Sequence, residues 1–195
     1  MSIVRPLVLG SSSPYRKAIL DKLGIPFETD TPRITETRLP GESPAVLVRR
    51  LAEMKARDVG SRHPGALIIG SDQVASLGEE ILGKPGNRKN AIEQLLAVSG
   101  QTVTFYTGLS LYDSGTGRIQ TAMEAFIVRF RQLTRTQIER YIDRDQPYDC
   151  AGSFKSEGYG ITLFAGLEGR DPNTLIGLPL ILLVDLLTNE GVRLP

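Results

Sequence analysis

The chain has 195 residues, 41% of them hydrophobic and 23% charged, which is ordinary for a globular protein with one domain over residues 1–195. Its formal net charge of +1 argues against a partner of polymeric nucleic acid, because proteins that bind such polymers carry a strongly basic surface. A single cysteine excludes an internal disulfide, and the lack of a signal peptide or of an apolar run that could span a bilayer predicts a cytoplasmic protein with no membrane partner.

The first segment with a clear structural signal is LVLGSSSPYRK, residues 7–17. Its three apolar residues predict a buried strand, and Ser13 followed by a proline predicts the start of a helix. A helix N-terminus carries unpaired N–H groups and partial positive charge, which suit a phosphate. Arg16 and Lys17 in the first turn oppose the helix dipole, so an anionic ligand would explain them. The alternative is an ordinary capped helix with exposed basic residues.

Apolar periodicity and turn residues predict the other elements in chain order. Helices are expected at 14–23, from 44 to about 59, between Asn87 and Gly100, from 134 to about 144, and at 178–189. Strands are expected at 7–9, 27–30, 66–69, 74–77, 80–82, 102–112, 118–130 and 161–164, with loops at 31–42 and 147–160. The continuously apolar strand at 66–69 is typical of burial on both faces, whereas 102–112 and 118–130 form an antiparallel pair. We therefore predict an α/β fold with a mixed, elongated sheet flanked by helices.

Several charged residues stand where ligands commonly bind. Asp72 follows the apolar strand, and the carboxyl end of such a strand is where α/β sheets bind ligands; an aspartate that caps a turn is the alternative. Glu36 could be a second metal ligand, Lys84 could reach a ligand from between Gly83 and Pro85, and the glycine-rich segment 151–160 could let backbone approach one. Taken singly, these features are also typical of solvated loops. Lys55 falls within the predicted helix at 44–59, and a lysine there is usually a side chain that lies along the helix surface.

The sequence contains no Walker A motif, Rossmann fingerprint, zinc-ligand spacing or Ser/His/Asp arrangement. The one histidine, His63, lies beside a proline and is expected at the surface. Histidine-dependent catalysis is therefore not expected, and Cys150 is interpreted as a small core residue.

Five motifs taken together resemble the Maf-like nucleotide pyrophosphatases. In chain order they are SSSPYRK, GSDQV, GKP, AGSFKSEGYG and EGRDPNTLIGLP. Each motif alone is weak, but their order over essentially the whole chain is specific. Within the family, the chain is most similar to the 7-methyl-GTP pyrophosphatase subgroup, as indicated by Tyr15, by Gln73 directly after Asp72, and by Glu157.

The resemblance implies a Maf/ITPase-like fold with two lobes around a cleft. It also implies a divalent cation, Mg²⁺ or Mn²⁺, hydrolysis of a nucleoside triphosphate to monophosphate and diphosphate, and a homodimer. Asp72 is the expected catalytic residue, and Asp72 and Glu36 are the expected metal ligands. The predicted substrate-binding residues are Ser11, Ser13, Tyr15, Arg16, Lys17, Lys55, Gln73, Lys84, Lys155 and Glu157.

Elementary chemistry also favours a 7-methylguanine base. Methylation at N7 makes the ring cationic, and a cation over an aromatic face such as that of Tyr15 gains roughly 0.5–2 kcal/mol. The Glu157 carboxylate can accept both adjacent guanine donors and complements the positive charge of the ring. The alternative is that Tyr15 packs on its loop and Glu157 is solvated.

Two departures from the family pattern bear on these expectations. The subgroup usually carries Trp where this chain has Tyr15, so the ring is smaller. The family usually carries an Asp-Glu pair where this chain has Thr35-Glu36, which leaves one carboxylate there.

Two other functions also remain open: hydrolysis of dTTP and UTP, and a nucleotide-binding regulator of cell division without turnover.

Overall fold

The computed structural model describes residues 5–194, and this range contains seven strands and six α-helices. The strands are β1 (Leu7–Gly10), β2 (Glu28–Asp30), β3 (Leu67–Leu77), β4 (Glu80–Leu82), β5 (Thr102–Asp113), β6 (Ile119–Phe130) and β7 (Phe164–Glu168). The helices are α1 (Pro14–Leu20), α2 (Pro44–Gly60), α3 (Arg88–Val98), α4 (Arg135–Asp145), α5 (Asn173–Ile176) and α6 (Leu180–Asn189). Among these helices, none has the length and apolar character that crossing a bilayer requires.

The strands form a mixed sheet in the order β2-β1-β3-β5-β6-β7, and β4 pairs with β3 off this path. β1 is parallel to both β2 and β3, whereas β4 is antiparallel to β3 and β7 is antiparallel to β6. Gly10, the last residue of β1, lies opposite Asp30 on one side and Gly70 on the other. The predicted α/β class with a mixed sheet flanked by helices is confirmed.

The chain divides into two compact units. The first holds residues up to Gln73, Thr107–Glu124 and the chain from Asp171 onward; the second holds Val74–Tyr106 and Ala125–Arg170. In the first unit, aliphatic residues of β1, β3 and β5 pack on α1 and α6. The buried members include Leu9, Leu20, Ile69, Leu109, Leu183 and Leu187.

Four phenylalanines form the most distinctive part of the core of the second unit. The ring of Phe154 makes edge-to-face contacts with Phe105, Phe130 and Phe164, at centroid distances of 5.4, 5.6 and 4.9 Å. Such pairs are worth about 0.5–1.5 kcal/mol each beyond the burial of their surface. The cluster therefore anchors the glycine-rich segment 151–160 at its fourth residue.

The helix starts follow the predicted caps. Ser13, Ser43 and Asn87 each accept a hydrogen bond from the backbone N–H three residues on, which satisfies one of the unpaired donors of the first turn. Thr134 and Gln137 form the predicted capping box. Four of the five predicted helices therefore begin where the sequence indicates.

The predicted end of the third strand is wrong. β3 does not stop at Gly70-Ser71-Asp72 but continues to Leu77, because β4 pairs with its second half at Ala75 and Leu82. Asp72 thus lies inside a strand. It stands two residues beyond the level at which the neighbouring strand β1 ends, since Gly70 is the partner of Gly10.

Two predictions in the last third of the chain also need correction. The strand expected at 161–164 is instead a 3₁₀ helix, Tyr159–Leu163, followed by β7. A segment of four residues is too short for its hydrophobic period to distinguish a strand from a turn. The last helix begins at Leu180 rather than at residue 178, because Pro179 keeps an extended backbone, and the short α5 was not predicted.

Helix α2 lies directly on the backbone of the sheet. A Cβ atom on Gly70 would be 2.1 Å from the Ala52 carbonyl oxygen, and one on Gly108 would be 2.1 Å from that of Val48. Real Cβ contacts do not reach such distances, so only glycine permits this separation between helix and sheet. The close approach brings side chains of α2 within reach of the residues that follow Gly70.

We expect Gly70→Ala to destabilise the protein by about 1–3 kcal/mol, because the helix must shift to admit the methyl group. Urea unfolding followed by circular dichroism measures the change. Gly166→Ala is the matched control, since its Cβ would meet nothing within 4 Å and Gly166 has no positive φ. Equal stability of the two variants would contradict the close approach.

Candidate functional site

The ammonium of Lys55 joins two carboxylates in the first unit. Its Nζ lies 2.6 Å from Asp72 Oδ1 and 2.8 Å from Glu36 Oε1. The side chains of Lys55 and Asp72 are each 8% exposed, whereas that of Glu36 is 56% exposed. Counted alone, one cation and two anions give this lysine–carboxylate cluster a net charge of −1, which the nearby Arg16 guanidinium balances.

The fold explains why these three residues meet. Lys55 lies on α2, which the close approach at Gly70 holds against β3, and Asp72 follows Gly70 by two residues. Glu36 belongs to the loop at 31–42, as predicted. Lys55 does not extend along the helix surface towards solvent, because its side chain is buried and its ammonium is paired. Its predicted contact with substrate stays a prediction.

Arg16 lies in the electrostatic field of the same cluster. Its Nε donates to the Gly177 carbonyl oxygen at 2.8 Å, and Ser71 Oγ donates to the same oxygen at 2.9 Å. Burial lowers the pKa of the Arg16 guanidinium, and the nearby carboxylates of Asp72 and Glu36 oppose that shift. An arginine side chain is not deprotonated in proteins, so Arg16 is a fixed cation.

Gly177 is a functional candidate that sequence reasoning missed. Its backbone φ of +117° is one that residues with a side chain rarely adopt. A Cβ atom on Gly177 would lie 3.2 Å from Arg16 Nε. Gly177 belongs to the motif EGRDPNTLIGLP, but the motif alone assigns no function to this glycine. Any larger residue would displace the guanidinium of Arg16.

The serine-rich turn is preorganised by its own hydroxyls. Ser11 Oγ accepts from the backbone N–H of Ser13 at 3.1 Å, and Ser13 Oγ accepts from that of Arg16 at 3.3 Å. A hydroxyl that accepts one hydrogen bond can still donate its own hydrogen to an anion. The geometry of the turn therefore suits a phosphate as well as an ordinary cap.

Tyr15 and Lys17 lie on the exposed side of α1. Tyr15 is 39% exposed, so its ring is accessible to a ligand. The Lys17 ammonium lies 3.2 Å from Asp21 Oδ2 and 5.6 Å from the centroid of the Phe27 ring. Lys17 is thus engaged with its own helix and with Phe27 rather than with the lysine–carboxylate cluster, and its predicted contact with substrate stays a prediction.

The amide of Gln73 is held in one orientation. Its Nε2 donates to Thr107 Oγ1 at 2.9 Å and to the Thr174 carbonyl oxygen at 2.6 Å. Thr107 Oγ1 itself donates to the same carbonyl at 3.0 Å. With its nitrogen committed to these oxygens, Gln73 offers its amide oxygen as an acceptor.

A partly buried ion pair ties the loop of Glu36 to α2. Arg50 Nε lies 2.6 Å from Glu42 Oε1, and a second guanidinium nitrogen lies 2.8 Å from Oε2, a bidentate geometry. Arg50 also donates to the Thr37 carbonyl oxygen at 3.0 Å. The hydrogen bond from Arg50 is the largest cause that lowers the pKa of Glu42, to about 2. This clip fixes the residue next to Glu36.

The other predicted residues lie in the second unit. Lys84 is exposed between Gly83 and a buried proline. The backbone N–H of Lys155 donates to the Tyr141 hydroxyl at 2.9 Å, and its ammonium donates to the Asp145 carbonyl oxygen at 3.1 Å. The exposed Glu157 accepts from Ser156 Oγ at 3.2 Å. Lys155 is therefore placed by α4, whereas Glu157 faces solvent.

Within residues 5–194, no group of three or more His, Cys, Asp or Glu side chains is arranged to hold a metal ion. Asp72 and Glu36 are a pair, and both contact the same ammonium. Mg²⁺ is commonly held by one or two carboxylates together with substrate phosphates and waters. The donor set therefore fits a divalent cation that also contacts a triphosphate.

His63 is not the plain surface residue that the sequence predicts. Its Nε2 lies 2.9 Å from Asp30 Oδ2, and Arg62 Nε lies 3.0 Å from the same oxygen. Hydrogen bonds from Arg62 and His63 lower the pKa of Asp30.

Cys150 is half-buried, and burial raises the pKa of its thiol to about 12, so it is not a reactive thiolate.

Comparison with known proteins identifies relatives over nearly the whole length. The family model described as Maf-like protein matches residues 6–190. The 7-methyl-GTP pyrophosphatase of Alcanivorax borkumensis is 57% identical over 189 residues, which are 97% of this chain and 96% of that protein. The 7-methyl-GTP pyrophosphatase of Nitrosococcus oceani is 59% identical over 185 residues, 95% of this chain and 93% of that protein.

Similarity to solved structures is weaker. A HAM1 protein from Coxiella burnetii covers 67% of this chain and 75% of its own, with 14% identity and a TM-score of 0.47.

The Glu42–Arg50 clip predicts a specific dependence of stability on pH. Because the pKa of Glu42 falls from 4.5 to about 2 on folding, its stabilisation is complete above pH 4.5 and is lost as the pH falls towards 2. We expect Glu42→Gln to be less stable than the native chain at pH 7 and to lose less stability between those two pH values. Urea unfolding across this range measures both.

Glu93→Gln is the control, since the side chain of Glu93 is 60% exposed. Its acid dependence should match that of the native chain. The same acid dependence in Glu42→Gln and in the native chain would contradict the role of the clip.

Proposed function

Since the chain belongs to the Maf-like protein family, we propose that it hydrolyses 7-methyl-GTP to 7-methyl-GMP and diphosphate. The relatives that carry this activity in their names are more than half identical to the chain and cover nearly all of it. The structural observation that supports the proposal best is the buried Asp72 carboxylate, held by Lys55 at 2.6 Å. The biological consequence is removal of a modified nucleotide before a polymerase uses it.

Asp72 is the proposed catalytic residue. It accepts a proton from a water molecule whose oxygen bonds to the α-phosphorus, and the bond from that phosphorus to the bridging oxygen breaks, so that diphosphate leaves. Lys55 holds Asp72 through its Oδ1 at 2.6 Å. Asp72 can then present its second oxygen to the water without rotating.

Fixed cations stabilise the charge that grows on the leaving diphosphate. Arg16 is proposed for this role because the Gly177 carbonyl oxygen fixes its Nε at 2.8 Å. Lys84 and Lys17 are proposed to assist it, and Lys155 to bind the nucleotide. The hydroxyls and backbone N–H groups of the serine-rich turn, with Ser11 and Ser13, position the phosphates.

Asp72 and Glu36 are proposed to hold a divalent cation, Mg²⁺ or Mn²⁺. When bound, such a cation neutralises part of the charge of the triphosphate and polarises its phosphoryl oxygens. Thr35 stands where the family usually has a second acid, so Glu36 is the loop carboxylate available for this purpose. The Lys55 ammonium holds the two carboxylates together when no divalent cation is bound.

Tyr15, Gln73 and Glu157 are proposed to select the base. The exposed ring of Tyr15 can stack on the cationic 7-methylguanine. The oriented amide oxygen of Gln73 and the carboxylate of Glu157 are acceptors, and guanine presents adjacent donors at N1 and N2. We propose that residues 1–195 act as one catalytic domain; a cytoplasmic location and a homodimer stay predictions.

A panel of nucleotides tests the substrate. We expect 7-methyl-GTP to be hydrolysed faster than GTP, dTTP or UTP, with diphosphate released and activity lost in the presence of a chelator. Glu157→Gln should narrow the preference for 7-methyl-GTP over UTP, because the carboxylate no longer complements the cationic ring. Faster hydrolysis of dTTP and UTP would favour the related pyrimidine activity, and nucleotide binding without diphosphate release would favour a regulator.

Asp72→Asn tests the proposed catalytic residue. The amide cannot accept the proton, so kcat should fall by about 10²–10⁴-fold while circular dichroism stays unchanged. Asp143→Asn is the control, because the side chain of Asp143 is 58% exposed and pairs with Arg88. A kcat within a few-fold of native in Asp72→Asn would refute the assigned role.

A further inference from the structure

In the second unit, one side chain of α3 connects the two loops that carry Lys84 and Lys155. Gln94 Nε2 donates to the Gly83 carbonyl oxygen at 3.0 Å, and Gln94 Oε1 accepts from Ser153 Oγ. Gly83 directly precedes Lys84, and Ser153 lies two residues before Lys155. The amide of Gln94 is thus shared between the two loops, one through each of its polar atoms.

The backbone of Ser153, at one end of this connection, is held in an unfavourable conformation. Ser153 is fully buried and has a φ of +64°, a backbone conformation that residues with side chains rarely adopt. Such a conformation persists only when its surroundings impose it. Phe154, the next residue, is locked in the phenylalanine cluster. The Ser153 hydroxyl is therefore held in place towards Gln94 rather than free to rotate with a flexible loop.

Further hydrogen bonds also support these loops, and one of them joins the Lys84 loop to the loop 147–160 through its backbone. Asn90 Nδ2 donates to the Pro85 carbonyl oxygen at 3.0 Å, and the N–H of Gly86 donates to the Tyr148 carbonyl oxygen at 2.9 Å. The N–H of Lys155 donates to the hydroxyl of Tyr141 on α4. Lys155 is thus supported from α4, and the Lys84 loop from α3 and Tyr148. Gln94 adds a direct side-chain link from the Lys84 loop to the residues before Lys155.

We propose that Gln94 is a positioning residue that sets Lys84 and Lys155 relative to each other for nucleotide binding. The inference rests on the proposed function, since that function assigns both lysines to the substrate. Neither lysine is held to the other by direct contact, so their separation depends on the backbone that Gln94 joins. A displacement of about 1 Å in a group that binds substrate can lower the rate by up to about 10²-fold.

Gln94→Met keeps the length of the side chain and removes both hydrogen bonds. We expect kcat/KM for 7-methyl-GTP to fall by about tenfold, within the range that misplaced binding groups produce. Glu93→Met is the matched control on the exposed neighbouring position of α3 and should change kcat/KM less than twofold. An unchanged kcat/KM in Gln94→Met would overturn the inference.

A double-mutant cycle separates positioning from a general structural role. In a chain that already carries Lys84→Met and Lys155→Met, Gln94→Met should cost much less than in the native chain, because the groups that it positions are gone. A merely structural role would give the same loss in both backgrounds. That result would overturn the inference even if the single variant were impaired.

Hydrogen exchange gives a readout that does not depend on turnover. In Gln94→Met, amide exchange should rise in the peptides around residues 83–86 and 152–156, and Glu93→Met should change neither. Gln94→Glu keeps the acceptor for Ser153 and loses the donor to Gly83, so exchange should rise in the first peptide alone. This variant also decides the matter if Gln94→Met fails to fold. Unchanged exchange would overturn the inference, whereas a native chain that releases no diphosphate would refute the proposed function alone.

Discussion

The contact between α2 and the backbone of the sheet is the constraint on which the candidate site depends. Gly70 and Gly108 have no side chains, so the helix lies close enough for Lys55 to reach Asp72 at 2.6 Å. A helix held one methyl group farther away would weaken the contact between the buried Asp72 carboxylate and the Lys55 ammonium. Unpaired buried charges are costly by several kcal/mol, so the pairing and the close approach stabilise each other.

Irregular segments carry several of the proposed substrate contacts, and polar side chains of helices hold two of these segments. In the first unit, Arg50 of α2 binds Thr37, the residue directly after Glu36, and Glu42, at the end of the same loop. In the second unit, Gln94 of α3 binds the residues that precede Lys84 and Lys155. Loops of this kind provide chemical variety, while the helices provide the rigidity that a binding group needs.

Much of the fold could be predicted from the sequence because local signals and tertiary structure agree. Caps at Ser13, Asn87 and Thr134 predict helix starts correctly, since a capping hydrogen bond lies within one turn of the chain. The extent of β3 could not be predicted, because it depends on pairing with β4 rather than on its own residues.

The candidate site shows the same division. The motifs identify Asp72 as a candidate and the family resemblance adds Lys55, but no local pattern shows that their charges meet at 2.6 Å. Gly177 and Gln94 were missed for a related reason, because each acts through a backbone contact with a residue distant in sequence. Single-sequence patterns do not encode such contacts.

In the proposed reaction, water attacks the α-phosphorus of 7-methyl-GTP and diphosphate leaves intact. Turnover in water enriched in oxygen-18, followed by mass spectrometry of both products, locates the bond that breaks. We expect one heavy oxygen in 7-methyl-GMP and none in diphosphate. Label in the diphosphate, or in orthophosphate released in its place, would rule out attack at the α-phosphorus.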